Sequence, residues 1–533
     1  MKTLQKLLIL IFILFPGCIQ PEEEKISKIH KAHLTQGWYP NDKSVLIQNL
    51  SSYLNIAKQN FPVSCDSKSV KALIVPHAGH YFSGLCAACG YQSLINEHNQ
   101  KNGNIKKVII LCPSHVSYLR GIALPDYTTY QTVMGDIRVD QESIKKLKND
   151  IFKIDEQAHG QEHAIEIQLP FLQQVIQKFK MIPLIVGQLA TNEYEIIAKQ
   201  LKEIVTKDTL VVVSSDFIHY GKSFDYAPFE KNIFYNIRNI DSDAIEAISN
   251  LSLNDFSKVV EEQKPTICGQ ASIKILLKLI ELNSFENINE AQLSCYYTSP
   301  QLEEATKNNR TMIDVEKLLQ NISDSEMQHS VSYASLIFNN QDLTKLEREN
   351  LLTGFEKESL LTESRDVLKN SFEINKVGQK LLYPIKSFAV SQESGAFVTL
   401  NTKSGDLRGC IGRITTPEPL YKTVADMTLA AAFEDSRFKP LKKDELKNIV
   451  IDITVLTQPE KVGSYKEIIL GKHGIILKKD WASAVFLPQV QASFGWDLPT
   501  TLEHLSQKAG LSKDGWKQNC DFAVFEGFEI KEK

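Results

Sequence analysis

Three apolar runs in the amino-terminal half of the chain end in the same way. Ala72 to Val75 run into Pro76 and His77, Val108 to Leu111 into Pro113, Ser114 and His115, and Leu210 to Val213 into Ser214, Ser215, Asp216 and His219. A fourth run, Met181 to Gly187, has no polar tip. Runs with no polar alternation have no side to show to water, so they predict strands covered on both faces. The covers are present between them: "AIEIQLPFLQQVIQKF" and "NEYEIIAKQLKEIV" carry helical periodicity. The pattern predicts an α/β domain with a central sheet flanked by helices. In such sheets ligands sit at the carboxyl ends of the strands, which is where these histidines fall.

Length and charge bound the rest. A chain of 533 residues is too long for one core, and its net charge of -4 gives no basic face for nucleic acid. The amino terminus, "MKTLQKLLILIFILFPGC", has Lys2 and Lys6, an apolar stretch from Leu7 to Phe15 and Gly17 before Cys18. That is the plan of an export signal, too short to span a bilayer. It resembles a bacterial lipoprotein signal, which implies lipid on Cys18 and a membrane anchor in the cell envelope, although Phe15 and Pro16 depart from the usual lipobox. Residues 1–18 are assigned to the signal and 19–29 to a tether. Cys65, Cys86, Cys89, Cys112, Cys268, Cys295, Cys410 and Cys520 are then too few for a disulfide scaffold. Cys86 and Cys89 form a C-x-x-C that oxidation could close, but the small residues at helical spacing around them favour packing.

Neutral imidazoles are good ligands for iron, copper and zinc, and a mononuclear catalytic site generally takes three protein ligands. Beside His77 and His115, Cys268 in "KPTICGQASI" offers a third donor at the start of a helical run, where a helix N-terminus lowers a thiol's pKa. Asp216, His219 and His163 are candidates for supporting or acid/base groups. Glu162 and Glu166 in "EHAIE" stand one helical turn apart and read locally as a solvated helix start.

The segments "GWYP", "VPHAGHYFSG", "CPSH", "GQEHAIEIQLPFL", "SSDFIHYG", "TICGQASI" and "SVSYAS" occur in the order found in the Memo family, and residues 30–338 resemble it. That family is similar in fold to the LigB-type extradiol dioxygenases, which use non-haem iron. The resemblance implies metal ligands at His77, His115 and Cys268, with Asp216 and His219 as pocket partners. A cysteine where the dioxygenases have a carboxylate softens the site toward copper(I), zinc or an atypical iron. Gln168 stands where animal Memo proteins have histidine.

A polar stretch at 339–348 marks a linker, and residues 349–533 read as an α+β domain of strands, turn signals such as "KSGD" and "GKHG", and amphipathic helices. With "LRGCIG" as hallmark, this part resembles the AMMECR domain. Arg408, Cys410, Asp435 and Arg437 are its candidate cleft residues. Cys410 reads as a strand cysteine packed between glycines, or as a nucleophile beside Arg408 and Arg413. Memo and AMMECR modules are known together in the AmmeMemoRadiSam system, which implies a radical-SAM protein as partner; its C-x-x-x-C-x-x-C motif is absent from this sequence. Two function classes follow. One is a metal-dependent, dioxygenase-like oxidoreductase using iron or copper on a small substrate. The other is a non-catalytic protein that binds metal or peptide in a modification pathway.

Overall fold

The computed structural model describes residues 28–532 apart from 35–36, 62–65, 97–99, 286–287, 289, 308–312, 320–321, 341–351, 353, 374–389, 391–392, 489 and 491–493. The segment read as an export signal with Cys18, the expected tether up to 27, Cys65 and the expected linker from 341 lie outside the described residues. The amino-terminal module opens with β1 (Ile29–His30), α1 (Lys43–Asn60), β2 (Val70–Val75), α2 (His80–Gln92) and β3 (Lys107–Pro113). It continues through β4 (Ile122–Leu124), β5 (Thr129–Thr132), β6 (Gly135–Val139), α3 (Gln141–Leu147) and β7 (Phe152–Ile154). Three short helices, α4 (Glu156–Gly160), α5 (His163–Glu166) and α6 (Leu169–Val175), lead to β8 (Lys180–Val186). Next come α7 (Glu193–Lys202), β9 (Thr209–Ser214), β10 (His219–Tyr220), α8 (Ile233–Ser249), α9 (Leu253–Gln263) and α10 (Gln270–Glu281). The module closes with β11 (Glu290–Thr298), α11 (Ser299–Thr306) and β12 (Ser330–Asn339).

The four apolar runs are β2, β3, β8 and β9, and they form the parallel centre of a mixed sheet ordered β1-β5-β6-β8-β3-β9-β2-β12-β10. β9 has every residue buried, as a strand covered on both faces must. On one side lies α1, whose Asp42 side chain caps the first turn and whose Leu46, Leu50, Leu54 and Ala57 form a buried stripe. α2 lies between α1 and the sheet and is buried almost all round, which explains its small residues. Cys86 and Cys89 are free, buried thiols inside this helix, as the packing reading expects.

The carboxy-terminal module contains α12 (Gly354–Glu373), β13 (Ala396–Thr402), β14 (Leu407–Arg413), α13 (Leu420–Phe433) and β15 (Ile449–Leu456). β16 (Glu460–Val462), β17 (Gly474–Lys479), β18 (Ala482–Phe486), α14 (Leu498–Lys508), β19 (Asp521–Phe525) and β20 (Gly527–Lys531) follow. They build two four-stranded sheets, β14-β13-β15-β20 and β16-β19-β17-β18, an α+β plan. "KSGD" is the turn of the β13–β14 hairpin, with Gly405 at φ 94° where a side chain would be strained. Gly409 in "LRGCIG" lies under α13: a Cβ there would stand 2.1 Å from the Ala431 carbonyl oxygen.

Candidate metal centre

β9 lies between β3 and β2 and runs parallel to both. Their carboxyl ends therefore open on one edge, with His77 two residues past β2, His115 two past β3, and Ser214 to Asp216 between them. The turn before α10 brings in Cys268 from a distant part of the chain. His77, His115 and Cys268 each offer one ligand atom within 4.8 Å of the others. The Cys268 thiol is 3.1 Å from His77 Nε2, and the two imidazoles meet edge to face with centroids 5.0 Å apart.

Hydrogen bonding decides which nitrogens face this centre. The Ser214 hydroxyl is 2.7 Å from the Ala164 carbonyl, which only accepts, so its single proton goes there. It accepts from Gln168 Nε2 at 2.8 Å, and His77 Nδ1, at 3.0 Å, must then donate to it as well. His77 is left with its lone pair on Nε2, facing Cys268. His115 follows the same rule: its Nδ1 is 2.8 Å from the Glu162 carboxylate, which also receives its backbone N–H at 2.7 Å. That leaves the His115 lone pair on Nε2. Ligating histidines are typically held this way, through the ring nitrogen that does not bind metal.

Burial keeps two of the three donors uncharged in the metal-free protein. Burial, then the neighbouring His115 and His163 rings, push the His77 pKa well below the usual imidazole range, so it is neutral. Burial raises the Cys268 thiol far above its usual value, and the nearby Asp216 carboxylate raises it further. The expected helix-terminus effect is therefore overturned: Cys268 precedes the N-cap Gly269, and one N–H from Asp216 at 3.1 Å does not offset its burial. The thiol keeps its proton until a metal displaces it. Gly269 makes the approach possible, since a Cβ there would stand 2.4 Å from Ser215 Cβ.

Asp216 accepts the His77 N–H at 2.7 Å, and burial raises its pKa. His219 Nδ1 faces the carbonyls of Phe217 and Thr266 at 3.0 and 3.1 Å, so its lone pair sits on Nε2, 4.0 Å from Asp216. The His163 ring lies 4.5 Å from His115 and 4.6 Å from Trp38, and burial, then His115, lower its pKa to about 4. All six residues singled out in this module thus meet at one strand edge. Glu162 and Glu166 are both 1% exposed, which corrects the reading of a solvated helix start. Burial alone would raise the Glu162 pKa, but hydrogen bonds from His115 lower it overall. Ser214, Gln168 and Trp38 are the contributors with no role assigned from sequence; Glu162 stood out beside Glu166 in "EHAIE" but without its part in holding His115.

In the carboxy-terminal module, Cys410, Asp435 and Arg437 meet. Asp435 accepts the Cys410 N–H at 2.9 Å and pairs with Arg437 at 2.7 Å, which holds its carboxyl below the usual range. Cys410 is half-buried on β14, where the Thr399 hydroxyl meets its sulfur at 3.2 Å. Arg408 turns instead to Glu445, at 2.8 and 3.1 Å, and to the Lys439 carbonyl.

A mixed sheet with two imidazoles and a thiol at its carboxyl edge, joined to an α+β module, defines a two-module protein with a metal-type donor set. The chain belongs to the Memo family: residues 31–310 match "Memo-like protein", and residues 361–530 match AMMECR1. It is 31% identical to the protein MEMO1 of Rattus norvegicus over 275 residues, 48% of this chain and 88% of that one. It is 28% identical to the memo-1 homolog of Caenorhabditis elegans over 285 residues, 51% and 78% of the two chains. It is 42% identical to protein Mbar_A1807 of Methanosarcina barkeri over 147 residues, 27% of this chain and 72% of that one.

Proposed function

We propose that this Memo–AMMECR fusion is an exported metalloprotein, with one iron or copper ion held by His77, His115 and Cys268, acting in dioxygenase-like oxidation of a small substrate. The observation that carries the reading is the Ser214 hydroxyl, whose bonding leaves the His77 lone pair 3.1 Å from the Cys268 sulfur. A bound iron or copper ion supplies one-electron chemistry. The chain's own residues do the rest. Glu162 and Ser214 orient the two imidazoles. His219 Nε2, with its Nδ1 committed to carbonyls, is free to take a substrate proton, and the Asp216 carboxylate 4.0 Å away would offset the charge this creates. His163 and Trp38 form an aromatic wall beside His115.

Protein purified anaerobically without chelators should carry about one redox-active metal per chain at this site. His77→Ala, His115→Ala and Cys268→Ala should each lose most of it, whereas His219→Ala weakens binding by only about 10 to 100-fold. Full occupancy in both His77→Ala and Cys268→Ala would remove the site. The envelope anchor rests on Cys18, and fatty-acid labelling that persists in Cys18→Ala would reject it. A radical-SAM protein is the proposed partner, through the AmmeMemoRadiSam system, and its failure to co-purify under anaerobic cross-linking would count against that link. A non-catalytic role in binding metal or peptide is the second reading: the same pocket binds metal but shows no oxygen uptake with any oxidisable substrate.

A further inference from the structure

α5 has a carboxylate at each end. Glu162, its N-cap residue, holds His115 of the first centre, and Glu166, its last residue, turns the other way. There it faces the amino-terminal segment "HKAH". His33 Nδ1 is 2.7 Å from Glu166 Oε2, and the backbone N–H groups of His33 and Leu34, both at 3.0 Å, fix the carboxylate together with the Tyr39 hydroxyl. His30 lies alongside on β1, whose pairing with β5 sets it opposite Tyr130. Its ring is 4% exposed, stacked on Tyr130 at 4.3 Å with Tyr127 against its edge at 5.0 Å.

The state of His30 is unusual. Its Nε2 is 3.0 Å from the His159 carbonyl, an acceptor, so Nε2 carries the proton and Nδ1 the lone pair. That Nδ1 is buried and has no hydrogen-bond partner among the described residues. Both His33 ring nitrogens are likewise buried and without a hydrogen bond among the described residues, Nδ1 lying against Glu166 as an ion-pair contact only. A buried basic nitrogen with no donor is costly, and such groups call for an explanation. Here one nitrogen of His30, one of His33 and one Glu166 oxygen lie within 4.8 Å of one another.

We propose that His30, His33 and Glu166 form a second metal site, distinct from the strand-edge centre, that takes a divalent ion of the zinc type. Two imidazoles and a carboxylate without sulfur suit zinc, and the carbonyl that orients His30 is the usual outer support of a ligating imidazole. The ion would enter between His33 Nδ1 and Glu166 Oε2, which now meet at 2.7 Å without a hydrogen bond of good geometry. Ligands about 2.0 to 2.1 Å from a tetrahedral zinc stand roughly 3.4 Å apart, so the 2.7 Å contact opens by about 0.7 Å. The half-exposed His33 can make that shift, and the well-held Glu166 need not move. Bound there, the ion pins residues 30–33 to α5 and so fastens the two-residue β1 to the sheet edge.

Cobalt(II) separates the two sites, since only the first can give a sulfur-to-cobalt charge-transfer band. The full chain, stripped of metal, is titrated in four forms: the wild type, His77→Ala/Cys268→Ala, and that double variant with His30→Gln or His33→Gln added. The parent double variant should take up one cobalt per chain with visible bands but no sulfur band. His30→Gln and His33→Gln should each weaken that uptake at least tenfold, with metal-free melting temperatures showing that the fold persists. If His30→Gln unfolds, His33→Gln decides alone, its position being half-exposed. No saturable cobalt in the parent double variant, or unchanged uptake in His33→Gln, overturns the second site. Failure of the first site would read differently, as a missing sulfur band in the wild type with this uptake intact.

Discussion

Ser214→Ala removes one oxygen atom from the end of β9, and that oxygen has three buried partners. They are His77 Nδ1 at 3.0 Å, Gln168 Nε2 at 2.8 Å and the Ala164 carbonyl at 2.7 Å. Each buried group left unpaired costs about 1–3 kcal/mol, and with partial relaxation the variant should lose roughly 2–5 kcal/mol of stability. The larger consequence is chemical. With no acceptor at Nδ1, His77 has no reason to keep its proton there, and the Nε2–H tautomer donates toward Cys268 instead of offering a lone pair. Loss of an outer partner of a ligand typically weakens metal binding about 10 to 100-fold, or about 1.4–2.7 kcal/mol. Competition against a chromophoric chelator measures this at a temperature where circular dichroism shows both proteins folded. Ser214→Thr is the control: it keeps the hydroxyl, so it should keep metal affinity even while the added methyl costs stability at a fully buried position. Parental metal affinity in Ser214→Ala, whatever its melting temperature, would refute the tautomer reasoning.

Because burial raises the Cys268 thiol above neutrality, binding at the first centre must release its proton. The cobalt affinity read from the sulfur band should therefore rise about tenfold per pH unit between pH 7.5 and 8.5, and a flat profile would mean that the thiolate is already formed. His80, His159 and His163 have pKa values lowered to about 4, chiefly by burial, against 6.5 in the unfolded chain. The unfolded state binds the extra protons between those values, so stability is full above pH 6.5 and falls as pH drops toward 4. At pH 5 these three histidines should together contribute about two to three of the protons taken up on unfolding, and His159→Gln should lower the measured uptake by about one.

The strands and helices of the amino-terminal module were legible because apolar runs and helical periods report burial directly. The meeting of His77, His115 and Cys268 was legible from their place at strand and helix ends. Strand order was not, since periodicity does not say that β9 separates β3 from β2, and the role of Ser214 follows from that order alone. Glu162 and Glu166 were misread because an acidic helix start looks solvated when its partners lie elsewhere. His115 is 47 positions from Glu162, and His33 is 133 from Glu166. The thiol was misjudged because a helix terminus is visible in sequence and the depth of burial is not. In the carboxy-terminal module, Cys410, Asp435 and Arg437 do meet, while the pairing of Arg408 with Glu445 rests on a tertiary approach that no local pattern encodes.

The distance along the chain between His77 and Cys268, 191 positions, has a consequence for the order of assembly. Bringing such distant residues together costs on the order of 5 kcal/mol in chain entropy, and the sheet must already have met that cost before the three donors face one another. A metal ion bound there therefore could not nucleate this module and would be loaded after folding. It would act as a late bolt, slowing the opening of the finished structure without hastening its formation.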